Sequence, residues 1–395
     1  MIETLPEGWR SVPFWSLFYR DKQIGFPKEE LLSVYREYGV IRKEDRDDNH
    51  NRAGDDLASY QLVEPGDLVL NKMKTWQGSL GISGYRGIVS PAYFVYKSRN
   101  SEISEFLHYA LRSRYYVTQY ASFSKGVRPS QWDLQPEYLS MMRVLLPPLS
   151  TQKSIVKYLA QEIGEIDAML AKLTSLSELV SERRREIVRS VLKSVGQTVR
   201  LGLVVDVVSG SGFPDKFQGV PDEELPFYKV SSLSNMDRQV LTDSGNTVSR
   251  EIADQLGARV IPSQSVVMAK IGAALLLARY ALTSRPSCID NNMQALVPHR
   301  DVIVSRFLAY AMEDVSIPSL VKSGPVPSLD VMGMKMSRIA FSPSIKEQCR
   351  IADHLDEVTG RIDAMLTKID ELKALLVERR AALISDVVTG RKKVA

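Results

Sequence analysis

Between Ser150 and Leu192 the apolar positions fall in a four-then-three spacing: Leu159, Ile163, Ile166, Leu170 and Leu173, then Val180, Ile187 and Val191. The stretch holds no proline and one glycine, Gly164. Such spacing predicts a single long helix whose apolar seam seeks a partner helix, interrupted at Ser177 and Arg184. About 43 residues at ~1.5 Å each make a rod of roughly 65 Å. The pattern returns from Ser344 to Val388, aligned without a gap at an offset of 196. Gln152 matches Gln348, Ile166–Leu170 match Ile362–Leu366, and Glu182-Arg183-Arg184 match Glu378-Arg379-Arg380. The seam break at Arg184 recurs at Arg380. A repeat of this length predicts a chain built twice.

The segments before each rod carry short apolar or alternating runs bounded by Gly and Pro, the pattern of strands. In residues 1–148 these are Gln61–Val63, Asp67–Leu70, Ile88–Val89, Tyr93–Tyr96 and Met142–Leu146, with helices expected around Lys28–Tyr35 and Ser104–Tyr116. The polar stretch Gly39–Asp56 is too charged for a core and reads as a surface or functional loop. Pro147-Pro148 closes this segment and opens the rod. In residues 197–343 the strand candidates are Val199–Val208, Phe227–Val230, Val266–Ile271, Leu275–Leu277 and Gln294–Val297, with a helix at Ser305–Met312. Weak echoes pair Pro65 and Asp67–Lys72 with Pro262 and Ser265–Lys270, and Phe106–Ala110 with Phe307–Ala311. The expected fold class is α+β: two mixed α/β domains separated by two long antiparallel coiled-coil helices, with an internal pseudo-two-fold repeat. The expected boundaries are 1–148, 149–196, 197–343 and 344–395.

Composition narrows the function. The net charge of +4 is too weak to argue for nucleic acid by itself. Residues 1–67 are acid-rich, whereas residues 68–143 hold ten basic residues against four acidic ones, as a phosphate-binding surface requires. Only Cys288 and Cys349 occur, in no metal-like spacing, which suits a reducing cytoplasm. No apolar run is long enough to span a membrane, and the first residues lack the apolar core of a signal peptide. No methyltransferase signature, phosphate-binding Gly-Lys-Ser/Thr loop or Gly-x-Ser-x-Gly elbow is present. The four histidines are scattered, and Gly210-Ser211-Gly212 is a lone glycine turn. A non-catalytic chain is the expectation, with no metal site.

Polar and basic residues beside strands carry the DNA-binding reading. Asn71–Gly78 mixes amides, cations and an aromatic, and Asn, Gln, Arg and Lys are the side chains that grip base edges in the major groove. Gly126–Trp132 is a second such cluster; in the later domain, Lys270–Gly272 and Ile289–Gln294 play the comparable part. The candidate contacts are Lys72, Lys74, Gln77, Arg128 and Gln131 in the first domain, with Asn49 and Arg52 added from the charged loop. In the second they are Lys229, Lys270, Asn291 and Asn292. The structural alternative is that Asp290 and Asn291 only cap a turn and that Trp76 or Trp132 belongs to the core.

Taken in order, these motifs resemble the DNA-specificity subunit of Type I restriction–modification systems. The resemblance rests on Leu31–Gly39, Arg46–Asn49 with Asn51-Arg52, Pro65–Lys74, Gly87–Tyr93, Gly126–Arg128, and Leu146–Leu149 with Gln152. In the second half it rests on Pro226–Val230 and Ile289–Met293, and it extends over essentially the whole chain. Pro343-Ser344, where the first copy has Pro147-Pro148, is one departure. The resemblance implies two target recognition domains, each reading one half of a split asymmetric DNA sequence, with the paired rods as spacer. It implies two modification (methyltransferase) subunits as partners, with restriction subunits joining in some systems. S-adenosylmethionine, ATP and Mg are then expected on those partners and no cofactor in this chain. The alternative of a different class is a coiled-coil scaffold that binds only proteins.

Overall fold

The computed structural model describes residues 5–45, 56–99, 102–126, 132–234, 240–242, 244–322 and 324–394. The chain divides into two compact units, Met1–Leu173 with Glu371–Ala395, and Thr174–Asp370. Each contains one mixed α/β head and half of each long helix.

The first unit's head runs β1 (Arg10–Pro13), α1 (Phe14–Leu17), β2 (Phe18–Arg20), β3 (Leu32–Tyr35), β4 (Gly39–Arg42), β5 (Gln61–Val63), β6 (Leu68–Asn71), β7 (Leu80–Ile82), β8 (Gly87–Val89) and β9 (Tyr93–Ser98). It continues with α2 (Ser104–Arg112), α3 (Arg114–Phe123), β10 (Ser124–Lys125), β11 (Asp133–Leu134), α4 (Pro136–Met141) and β12 (Arg143–Leu146), and then enters α5 (Leu149–Ser194). The main sheet is antiparallel in the order β2-β9-β6-β7. Because side chains alternate faces, Leu68 and Leu70 join the core under α2 and α3, while Val69 and Val95 join a second core with Leu32, Val34, Val40, Val63 and Val89. Both faces are covered, which is why β6 is an unbroken apolar run.

The second unit repeats the plan: β13 (Thr198–Arg200), β14 (Val205–Ser209), β15 (Leu225–Tyr228), β16 (Val240–Leu241), β17 (Thr247–Val248), α6 (Arg250–Gln255), β18 (Val266–Ala269), α7 (Ala273–Leu276), β19 (Tyr280–Thr283), β20 (Cys288–Ile289) and β21 (Met293–Pro298). Then come α8 (Ser305–Glu313), β22 (Val321–Lys322), β23 (Ser328–Leu329), α9 (Val331–Met336), β24 (Arg338–Ala340) and α10 (Ile345–Val388). Its sheet, β14-β21-β18-β19-β16, keeps the first unit's order and adds one parallel strand at the edge. Val266 and Met268 face one core while Val267 and Ala269 face another, as in β6.

Four expectations are corrected. Residues 28–35 hold no helix: Leu32–Tyr35 is a strand hairpinned to Gly39–Arg42, with Gly39 at φ +74° allowing the turn. Leu275–Leu277 is the end of α7 and the residue beyond it, not a strand. Val199–Val208 breaks into β13, a 3-10 turn at Leu201–Leu203, and β14. The expected Ser104–Tyr116 helix is two helices, broken at Ser113.

The long helices pair antiparallel within each unit. In the first, Ile155, Leu159 and Ile163 pack in the core holding Val387 and Val388, and Asp167 meets Arg380 at 3.0 Å. In the second, Val188 and Leu192 share a core with Ile351, Ala352 and Leu355, and Arg184 meets Asp363 at 2.9 Å. The seam breaks at Arg184 and Arg380 are thus where ion pairs cross between the helices. Past Arg184 the deepest positions are Val188 and Leu192 rather than the expected Ile187 and Val191, which are half-buried. The seam slips by one residue, as a 3.6-residue helix does against a 3.5-residue pattern.

Gln152 and Gln348, both fully buried, fasten each head to its helix. Gln152 Oε1 accepts the Ile103 amide at 3.1 Å, and its Nε2 donates to the Pro147 carbonyl at 3.0 Å and to Glu102. Gln348 accepts the Val304 amide at 2.7 Å and donates to the carbonyls of Val302 and Ser342. Ile103 and Val304 are the residues that open α2 and α8.

Candidate nucleic-acid interface

In both units the candidate residues gather where the central strand of the sheet leaves its core. β6 ends at Asn71, and Lys72 follows it; the Lys72 amide donates to the Ala92 carbonyl, and its own carbonyl accepts the Leu134 amide. In the second unit the Lys270 amide donates to the Asn292 carbonyl, and its carbonyl accepts the Leu329 amide. The backbone frame around Lys72 and Lys270 is therefore the same, although the surrounding side chains differ.

From this frame the first head projects a tight loop. Asn71 Oδ1 accepts the amides of Met73 and Lys74 at 3.1 Å, and Thr75 Oγ1 donates to the Asn71 carbonyl. A 3-10 turn at Thr75–Gln77 follows and closes on Gly78 at φ +96°. The turn exposes Met73, Lys74 and Gln77 while burying Thr75. Trp76 stands 5.1 Å from Trp132, and its indole donates to the Met73 carbonyl. Both tryptophans are half-buried, so they brace the loop and still offer ring edge to solvent. Lys72 is held differently: its ammonium donates to the Pro91 carbonyl and lies 4.9 Å from the Phe94 ring centre. Lys74 and Gln77 stand exposed on the loop, and Lys72 lies half-buried behind them.

In the second head Lys229, Lys270 and Asn292 converge on Asp290. The Asp290 carboxylate accepts the Asn292 amide at 2.9 Å; burial raises its pKa, opposed by that amide and by the charges of Lys229 and Lys270. Lys229 Nζ donates to Gln218 at 2.7 Å. Asn291 alone of this group is exposed. Gly210 explains itself here. A Cβ at that position would lie 1.9 Å from the Asp290 carbonyl oxygen, so the glycine turn exists to let two backbones touch. The sequence missed α7, which takes the place of the first head's 3-10 turn, ends in exposed Leu276 and is followed by exposed Leu277 and Arg279. The equivalence of Lys72 and Lys270 was the signal that could have located it. Asn49, Arg52, Arg128 and Gln131 lie outside the described residues. Among the described residues, no group of three or more His, Cys, Asp or Glu side chains is placed to hold a metal ion, and no helix is long and apolar enough to cross a membrane.

The architecture defines a class: a twice-built chain of mixed α/β heads on paired helices, each head carrying a lysine in the same backbone frame where the central strand ends. No family model matches the chain. The StySPI specificity subunit of the Type I restriction enzyme from Salmonella potsdam is 18% identical over 412 residues, covering 93% of this chain and 85% of that protein. The EcoKI specificity subunit from Escherichia coli K12 is 20% identical over 197 residues, 46% of this chain and 42% of that protein. A solved structure from a type I R-M system, determined to explain its complex assembly and conformational transition, superposes with a TM-score of 0.65 at 16% identity, over 98% of this chain and all of its own. The chain is thus similar over nearly its whole length to a Type I restriction specificity subunit, and its fold is that of the solved type I R-M structure.

Proposed function

We propose that the chain reads a bipartite, asymmetric DNA target, one half-site per head, and directs modification subunits to it. The observation that carries this reading is the shared backbone frame at Lys72 and Lys270 bearing unlike loops. One frame with two different reading surfaces suits two different half-sites. Lys74 and Gln77 in the first head and Asn291 in the second are the described side chains best exposed for base or phosphate contact, with Lys72, Lys229, Lys270 and Asn292 behind them. Arg128, Gln131, Asn49 and Arg52 complete the proposed contact set. Lysine contacts to phosphate set register and make affinity fall with salt, whereas amide contacts to base edges specify sequence.

Recruitment of partners has its own support. The paired helices expose an apolar strip that recurs in each unit: Met169, Leu372 and Leu375 in the first, Met365, Leu176 and Leu179 in the second. Equivalent residues match in exposure, 49 and 52% at the methionines and 64 and 62% at Leu179 and Leu375. Two equal strips suit two copies of one subunit. S-adenosylmethionine, ATP and Mg would be held by the partners. The deciding experiment is co-expression with a modification subunit, followed by mapping of N6-methyladenine across the host DNA. Methylation confined to one bipartite motif and lost without this chain is the expected outcome. A stable complex that creates no motif would favour the protein-only scaffold.

A further inference from the structure

We infer that the tip of the β3–β4 hairpin belongs to the first head's reading surface, and that Arg36 at that tip reads a guanine in the half-site this head recognises. The inference rests on the function proposed above and adds a base contact from a separate element of the head.

The tip is short and tightly seated. Tyr35 pairs with Gly39, so Arg36, Glu37 and Tyr38 alone turn the chain, and all three are exposed. A Cβ on Gly39 would come 3.0 Å from His108 Cε1, and a Cβ on Gly81 of β7 would lie 3.1 Å from the Gly39 Cα. Hairpin, sheet and α2 therefore meet with no room for a side chain between them, and the two glycines permit the approach.

Arg112, the last residue of α2, fixes the turn. Its Nη2 donates to the carbonyls of Arg36 at 2.7 Å and Glu37 at 2.9 Å, and its Nη1 lies 2.7 Å from His108 Nε2. One guanidinium thus grips two successive carbonyls of a three-residue turn and is itself braced from α2. At the matching position of the second unit, the last residue of α8, Glu313 turns to Arg184 of the long helix instead. A carboxylate cannot donate to carbonyls. The clamp therefore belongs to the first head and not to the plan the two heads share, as a device for one half-site should.

The fixed tip carries Arg36 to the loop that bears Lys74 and Gln77. A Cβ on Gly78, which closes that loop's 3-10 turn, would lie 3.8 Å from Arg36 Cγ. The Arg36 guanidinium makes no ion pair or hydrogen bond among the described residues, so the head itself does not use its charge. Arg36, Lys74 and Gln77 stand exposed on two adjoining elements, and all are side chains that read base edges. A phosphate contact needs only a cation on a mobile stem, and Glu37 next in the chain would meet the DNA backbone with a like charge. A base contact needs its donors held in place by a fixed support. Arginine's planar fork matches O6 and N7 of guanine, and a clamped turn presenting that fork suits the base.

The test uses the full chain co-expressed with the modification subunit, with N6-methyladenine mapped across the host DNA. Arg36→Ala is expected to relax one G·C pair in the half-site that Asn291→Ala leaves intact, the preference there falling by roughly 5- to 150-fold. Arg36→Lys should relax the same pair, because an ammonium keeps the charge and loses the fork. Arg112→Met, which removes the clamp, should blur that pair too, and adding Arg36→Ala to it should change nothing further at that position. Circular dichroism melts of the Arg36 variants should match wild type, which separates reading from folding. Unchanged methylation in Arg36→Ala would overturn the inference, as would relaxation of the other half-site. So would a uniform loss of methylation that Arg36→Lys restores, the mark of a phosphate contact. A wild-type chain that directs no bipartite methylation would overturn the proposed function, and the assignment of Arg36 with it.

Discussion

Gln152 and Gln348 do at the scale of one side chain what the repeat does for the whole molecule: each satisfies buried backbone groups at the point where a head meets its helix. Gln152→Ala would leave the Ile103 amide without its acceptor in a buried site, a loss of about 1–3 kcal/mol. Denaturant titration should show a lowered midpoint for either alanine variant. His108 supplies a pH test. Its Nδ1 lies 3.3 Å from the Ile82 amide and its Nε2 2.7 Å from Arg112 Nη1, so both ring nitrogens face donors. Burial, and then Arg112, push its pKa down to about 4. A folded value below the unfolded ~6.5 means full stability above pH 6.5, lost as pH falls toward 4. Unfolding midpoints should therefore drop between pH 7 and pH 5, by about 1–2 kcal/mol in stability, and His108→Gln should remove that component of the slope. Nothing in the sequence distinguished His108 from the other three histidines, because its surroundings come from β7 and α2 meeting in space.

At the scale of elements, the two Arg positions that break the helix seam behave unequally. Arg184 is largely buried and reaches both Glu313 of α8, at 2.8 Å, and Asp363 of α10. Burial alone would depress its pKa, but the two carboxylates more than reverse this. In the first unit Arg380 is itself more exposed than Arg184, pairs with Asp167 and shares its surroundings with Arg112, a like charge. Further pairs tie α8 to the helices, Arg306 to Asp353 and Asp356, and Arg189 to Asp314. Arg184→Ala should cost about 1–3 kcal/mol, since it removes a charged hydrogen-bond partner from the part-buried Glu313. Arg380→Ala should cost at most about 1 kcal/mol. Hydrogen exchange resolved by peptide should show faster opening of α8 in the first variant and little change around α2 in the second. The repeat of the arginines was legible in sequence. Their different partners were not, because Glu313 is 129 residues from Arg184 in the chain.

At the scale of the whole molecule, two heads with unlike loops predict separable specificity. Lys74→Ala with Gln77→Ala should relax methylation at one half-site only, each lost base contact costing ~1–3 kcal/mol. Asn291→Ala should relax only the other. Methylome mapping of the two variants reads both outcomes, and relaxation of both half-sites by either would contradict the division of labour. Matched four-residue insertions in α5 and α10 add about one turn, ~6 Å. They should widen the preferred gap by one or two base pairs and leave the half-sites unchanged.

The apolar periods and their recurrence at an offset of 196 determined by themselves that the chain has two long helices, two related heads and a seam broken at equal positions. Period and repeat are local properties, and a reader of the chain sees them directly. The β6 and β18 strands were legible for the same reason, as apolar runs that two covered faces demand. What only the tertiary structure decided depends on contacts distant in sequence. The Leu32–Tyr35 segment became a strand because Gly39 turns it back and a sheet waits to be covered. Gly210 proved to be a close approach to Asp290. Lys72 and Lys229 proved to be held by a carbonyl and an amide, leaving Lys74, Gln77 and Asn291 exposed. A side chain's type is written in the sequence, but its freedom to meet a ligand is set by what folding brings beside it.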